Sequence, residues 1–171
     1  TDFAFRKICA DHGADMVVTE MISLKALANK SFRTEKMLRE ESNCLKCCQL
    51  FGHEAEVIEE AFASGLFDNF DIIDFNCGCP APKIVKNNDG SAMMRDIASA
   101  VETAARVGEV CAKHGAGFSV KMRAGWDSSS VNAPELARAL AEAGVRRLVC
   151  HCRTKEQLYG PGADPMVIKA V

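Results

Sequence analysis

The residues best able to do chemistry lie in one run, Asp74-Phe75-Asn76-Cys77-Gly78-Cys79-Pro80, followed by Lys83 and then by Asp89-Gly90-Ser91-Ala92. Ile72, Ile73 and Phe75 are apolar and strand-prone, whereas Gly78 and Pro80 end strands and shape turns. The spacing predicts a strand over 71–76 that delivers the Cys79 thiol to a sharp, exposed bend. Lys83, Lys86, Asn87 and Asn88 precede Gly90 and suit a mobile polar loop that closes over a polyanionic substrate. By composition alone, a buried packing thiol is as good a reading of Cys79. Cys77, which comes before the turn, reads as packing.

Three other polar residues interrupt apolar, strand-like runs. Lys121 ends Phe118, Val120, Met122, where a lysine can also snorkel from a sheet to water. Gln49 ends a run from Leu45 to Phe51, and its amide offers both a donor and an acceptor. His151 ends Val149-Cys150-His151, where a satisfied core histidine is the commoner outcome. Cys44-Leu45-Lys46-Cys47-Cys48 has a CxxC spacing, but a zinc site needs about four ligands and the nearest other candidate is His53. Alternation along a strand would also point Cys44 and Cys47 to different faces. No metal site is expected.

These side chains have to be positioned by a regular framework. Phe5, Ile8 and Cys9 have helical spacing before His12-Gly13, and 15–21 reads as a strand. Residues 24–38 are mixed and charged, a short helix and loop. Strands are expected over 45–51, 71–76, 117–122 and 147–152. Helices are expected over 55–64 with Gly65 as a stop, 97–114, and 133–143 before Gly144, with another opening at Asp164. Strands alternating with helices about every 25 to 30 residues imply a parallel sheet with right-handed crossovers. Periodicity alone does not choose between an open doubly wound sheet and part of a (β/α)8 barrel.

A chain of 171 residues, 48% hydrophobic, is one domain by length and can bury a sizeable core. It has no apolar run near the ~20 residues needed to cross a bilayer and no basic-then-apolar leader, so it reads as soluble, with no membrane partner. Nine cysteines without a small secreted framework point to the reducing cytoplasm. The formal net charge is −2, so any contact with nucleic acid must come from a local patch; Lys83, Lys86, Arg95, Arg123, Arg153 and Lys155 are the candidates.

The Cys79 run, together with Val120-Lys121-Met122-Arg123-Ala124-Gly125-Trp126 and His151-Cys152-Arg153-Thr154, resembles the flavin-dependent tRNA dihydrouridine synthases. Thr1-Asp2-Phe3-Ala4-Phe5-Arg6, Val17-Val18-Thr19-Glu20-Met21 and Gln49-Leu50-Phe51-Gly52 extend the likeness in the family's order. The resemblance implies a partial TIM (β/α)8 barrel over 1–171, about strands two to six, lacking most of strand one and strands seven and eight. The helical tRNA-binding domain that follows the family's barrel, and the glycine-rich phosphate loops of its last strands, are then absent. That leaves two open sheet edges and an internal fragment prone to aggregate.

The family's chemistry is reduction of the uracil C5=C6 bond, with hydride from FMN to C6 and a proton to C5, and NADPH as the reductant of the flavin. The resemblance makes Cys79 the proton donor, its thiol acting as an acid rather than as an activated thiolate. Gln49, Lys121 and His151 become FMN contacts, Lys121 as the charge that stabilises the anionic reduced ring. Asn76 orients uracil or flavin, and Lys83, Arg123 and Arg153 meet RNA phosphates or flavin. Cys152 stands where the family usually has glycine. The substrate would be a base flipped out of tRNA, and no protein partner is implied. A dihydroorotate dehydrogenase-like flavoprotein shares an Asn-x-x-Cys-Pro strand end but lacks the Asp-Gly-Ser-Ala and His-x-Arg-Thr runs. A non-catalytic, RNA-binding remnant is the remaining alternative.

Overall fold

Runs of valine, isoleucine and cysteine bounded by polar or glycine-containing turns become the strands of a computed structural model, which describes residues 1–54 and 56–171. Helix α1 (Phe3–Asp11) begins where the Asp2 carboxylate accepts the Phe5 N–H at 2.9 Å, satisfying one of the helix's first donors. Strand β1 (Met16–Ser23) follows, then two short helices, α2 (Leu24–Ala28) and α3 (Phe32–Met37), where the sequence suggested one helix and a loop. Ser23 and Ser31 cap them, accepting from Ala26 N and Thr34 N. Strand β2 (Leu45–Phe51), helix α4 (Glu56–Ala63) and strand β3 (Ile72–Cys77) come next. The expected helical start at Ala55 lies outside the described residues.

The segment expected to be a mobile loop after Cys79 is helical. Pro82–Val85 forms the short α5, with proline at its start, and Gly90–Arg95 forms a 3-10 turn whose Gly90, Ser91, Ala92, Met93 and Met94 are buried. Alanine-rich α6 (Ile97–Lys113) leads to β4 (Gly117–Gly125), and α7 (Ala133–Glu142) leads to β5 (Arg147–Thr154) and α8 (Met166–Ala170). Strands β4 and β5 run two to three residues past their expected ends.

The five strands lie in the order β1-β2-β3-β4-β5, and the β1/β2 and β4/β5 pairs are parallel. An order with no reversal lacks the switch point of a doubly wound sheet and is that of successive strands in a (β/α)8 barrel. The chain divides into two compact units, residues 1–74 with 109–118 and residues 75–108 with 119–171. The first has a core that includes Ile22, Leu24, Leu50, Ile58 and Phe67. It also buries an ion pair: Arg6 Nε lies 2.6 Å from Glu40 Oε2, and Arg6 Nη2 donates to Arg39 O at 2.7 Å. Glu40 Oε1 accepts from the Ser42 amide and hydroxyl. Burial pushes the Glu40 carboxyl up, but the hydrogen bonds from Ser42 and Arg6 outweigh it and hold its pKa below the usual range. The second unit packs Phe75, Met94, Val120, Met122, Leu136 and Leu140.

Two register shifts re-aim side chains near the strand ends. On β1, the pairing moves from Val18↔Cys47 to Met21↔Gln49, one extra residue on β1. There Thr19 Oγ1 stands in for a ladder group, accepting the Gln49 N–H at 3.0 Å and donating to Glu20 O at 2.7 Å. On β5, the pairing moves from Arg123↔His151 to Gly125↔Thr154, placing the extra residue around Cys152 and Arg153.

Candidate active site

Cys79 sits two residues beyond the end of β3, half-buried, and its turn is fixed from several directions. The Asn76 side-chain oxygen accepts both the Gly78 N–H at 3.0 Å and the Cys79 N–H at 2.9 Å. The Cys79 carbonyl accepts the Ser91 N–H at 3.0 Å. Gly90 has φ +59, and a Cβ there would stand 2.7 Å from Cys79 O and 3.0 Å from Cys79 Cβ. Glycine is therefore required both by backbone hand and by space. Cys77 is wholly buried with its sulfur 4.0 Å from that of Met93, the packing role its position suggested.

Arg123, expected to meet RNA phosphate or flavin, is 2% exposed. Its Nε donates to Gly78 O at 2.9 Å, and its Nη1 donates to Thr154 O at 3.0 Å and Leu158 O at 2.9 Å. Burial lowers its pKa, yet a guanidinium in protein stays charged. A buried guanidinium must be satisfied, and here the backbone carbonyls of Gly78, Thr154 and Leu158 do it.

Lys121 is half-buried within β4, four residues before its end, paired in register with Val149. His151 pairs with Arg123, and its pKa is lowered, first by burial and then by the positive charges of Arg123, Lys121 and Arg153. At neutral pH its imidazole is uncharged, able to accept through one nitrogen and donate through the other. Arg153 Nε donates to Gly160 O at 2.7 Å, and Arg153 Nη1 lies 3.2 Å from His151 Nε2. The exposed Tyr159 ring lies 6.1 Å from that of His151. Lys83 is exposed on α5.

The second unit thus brings together Asn76, Cys79, Arg123, His151 and Arg153, with the charge of Lys121 felt at His151. Gln49 belongs to the first unit, where its Nε2 donates to Asp74 Oδ2 at 2.6 Å. Cys44 lies in a bend before β2 and Cys47 is buried in it. Charge is divided unevenly: the second unit has 12 Lys and Arg against 8 Asp and Glu, the first has 9 against 15. A chain that is slightly acidic overall therefore holds its thiol in its basic part.

The sequence model of the dihydrouridine synthase (Dus) family matches residues 1–171. The chain belongs to the dihydrouridine synthase family. It is 36% identical over 174 residues to a probable tRNA-dihydrouridine synthase of Rhizobium leguminosarum bv. phaseoli, covering 100% of this chain and 53% of the relative. It is 38% identical to a probable tRNA-dihydrouridine synthase of Rickettsia prowazekii, of which it covers 52%. It is 32% identical to tRNA-dihydrouridine synthase B of Vibrio cholerae, again covering 52%. The chain spans about half the length of the curated relatives it matches.

Membership makes sense of the pinned Cys79 turn, and of residues that sequence reading undervalued. The Arg123 clamp could have been suspected from Gly78, where a Cβ would lie 3.2 Å from the Met122 carbonyl carbon and 3.3 Å from Arg123 N. A glycine next to a key cysteine signals a close neighbour as readily as a turn. Trp126, flanked by Arg95 and Lys155 at 4.4 Å each, carried only the signal of its place in the family motif.

Proposed function

We propose that the protein carrying this chain reduces a uridine of tRNA to 5,6-dihydrouridine, with FMN as cofactor, NADPH as reductant and Cys79 as the proton donor to C5. The observation that carries the reading is the Cys79 turn, held by Asn76, Ser91 and Arg123 where a barrel strand gives way to its loop. Family membership supplies the reaction class. The residues that the resemblance assigns to FMN fit it: Lys121 and Arg153 offer positive charge, and neutral His151 offers a donor and an acceptor. Such a set suits an anionic, hydrogen-bonding ring system.

FMN, when bound, supplies the hydride that uracil C6 receives. Cys79 carries the matching proton on Sγ and releases it to C5 on the same turnover, and water then restores the thiol. Asn76 keeps the thiol in place through the backbone it caps. Lys121 favours a negative ring by charge; Gln49, which the resemblance assigns to the flavin, is held within the first unit by Asp74 and by Thr19 through its own N–H. Lys83 is left as an exposed phosphate contact.

The 171 residues are read as part of a (β/α)8 catalytic domain whose remaining strands, and a helical tRNA-binding domain, lie in the other half of the relatives' length. A tRNA substrate and free cysteine thiols suit a reducing cytoplasm, and among the described residues no helix is long and apolar enough to cross a membrane. The test is the Cys79→Ala protein. Dihydrouridine formation is expected to fall roughly 10²- to 10⁴-fold, the usual worth of a positioned acid, while NADPH still reduces the bound flavin at an unchanged rate. Full tRNA reduction by Cys79→Ala would remove Cys79 from the chemistry.

A further inference from the structure

Trp126, the first residue after β4, holds two cations over its ring. The Arg95 guanidinium carbon and the Lys155 ammonium each lie 4.4 Å from the ring centroid, within cation–π range. Arg95 comes from the 3-10 turn downstream of Cys79, and Lys155 is the first residue after β5. Both distances share one centroid, so the two positive centres can be no more than about twice 4.4 Å apart. The backbone keeps them there: Lys155 N donates to Gly125 O at 2.9 Å and Glu156 N to Trp126 O at 3.1 Å. Arg95 Nη2 also reaches Asn88 Oδ1 at 3.4 Å.

Neighbouring like charges repel unless a counter-charge compensates them. Among the described residues, neither Arg95 nor Lys155 forms an ion pair. Two of the nearby acids in sequence are engaged elsewhere. Asp96 Oδ1 caps α6 through Ser99 N. Asp127 Oδ1 accepts from the Ser129 amide and hydroxyl and from the Ser130 hydroxyl. Glu156 is exposed and pairs with neither cation. An aromatic face thus fixes two charges without neutralising them, and their remaining donors are left for an anion from solution.

We infer that the Arg95–Trp126–Lys155 stack is a preformed contact for the phosphodiester backbone of the RNA substrate, in the same unit as the Cys79 turn; the inference rests on the proposed tRNA reading. A pair of immobilised cations loses little side-chain freedom on meeting phosphate, so it adds affinity without sequence preference. The unit's excess of basic residues favours RNA over a neutral partner.

The test measures tRNA binding to the full protein that carries this chain across a salt series. Arg95→Gln and Lys155→Gln should each weaken binding roughly three- to tenfold at low salt, as one charge-assisted contact would. Each should also flatten the dependence of log K on log salt by about 0.7–0.9, one phosphate's share. Trp126→Leu should weaken binding less than the double variant and keep most of the salt slope, because it frees both cations without removing their charge, and Trp126→Phe should keep most of the affinity. Flavin absorbance and thermal midpoint of Arg95→Gln and Lys155→Gln should stay at wild-type values. A double variant with wild-type affinity and salt slope would overturn the surface and leave the proposed function standing. A wild-type protein that binds no tRNA would overturn both.

Discussion

At the scale of single residues, three cations set the state of one imidazole. Burial acts on His151 first, and Arg123, Lys121 and Arg153 add to it, so the folded protein holds this ring at a pKa below the ordinary histidine value. A group lowered in this way binds protons less well folded than unfolded. Stability is therefore full above the unfolded value near ~6.5, and it falls as pH drops from there towards the lowered folded value. His151→Gln should remove that part of the acid sensitivity. Urea midpoints of the two proteins measured at about pH 7.5 and about pH 5.5 should differ less for the variant than for the wild type. Equal losses in both would mean that burial and the three cations do not lower the His151 pKa in the fold. The position of this histidine could be read from the sequence. Its neutrality could not, because two of the three charges responsible come from β4, about thirty residues upstream.

At the scale of elements, one side chain of β4 fastens the ends of its neighbours. Arg123 grips Gly78 O after β3, Thr154 O at the end of β5 and Leu158 O beyond it. Lysine has one ammonium on a flexible stem and cannot reproduce a planar fork that spans three carbonyls. Arg123→Lys in the full protein should cost roughly 2–4 kcal/mol, about two charge-assisted hydrogen bonds less what water recovers. It should also loosen the Cys79 turn, read as faster alkylation of Cys79 by iodoacetamide. A wild-type alkylation rate in a destabilised Arg123→Lys would confine the residue to general stability. The strands themselves were legible from Ile72, Ile73, Phe75 and from Phe118, Val120, Met122, because apolar alternation and flanking glycines are local signals. The helical turns over 82–95 were missed because Lys83, Asn87 and Asn88 read as loop by composition, while burial of Ser91, Met93 and Met94 is a tertiary effect. The register shifts at Thr19 and Cys152 were invisible for the same reason, since a bulge is defined by the partner strand.

At the scale of the whole chain, the order β1-β2-β3-β4-β5 gives β1 and β5 one strand neighbour each in the described sheet. Burial reflects it. Every residue of β3 after Ile72 is buried, whereas in β5 Leu148 to Arg153 are half-buried and only Thr154 is buried. A further strand laid against β5 would cover these positions and satisfy its outer N–H and C=O groups. Open edges of this kind pair with other chains when nothing else covers them. Large apolar side chains add to the hazard, with Tyr159, Met166 and Ile168 exposed beyond β5 and Phe5, Ile8 and Phe32 exposed around β1. The 171-residue polypeptide expressed by itself is therefore expected to associate. Light scattering after size exclusion should find dimers or larger species at micromolar concentration, and charged residues placed at Leu148 and Cys150 should shift them towards monomer. A monodisperse monomer with a cooperative thermal transition would show that the five strands close their own edges, and would allow flavin binding to be sought in this chain directly.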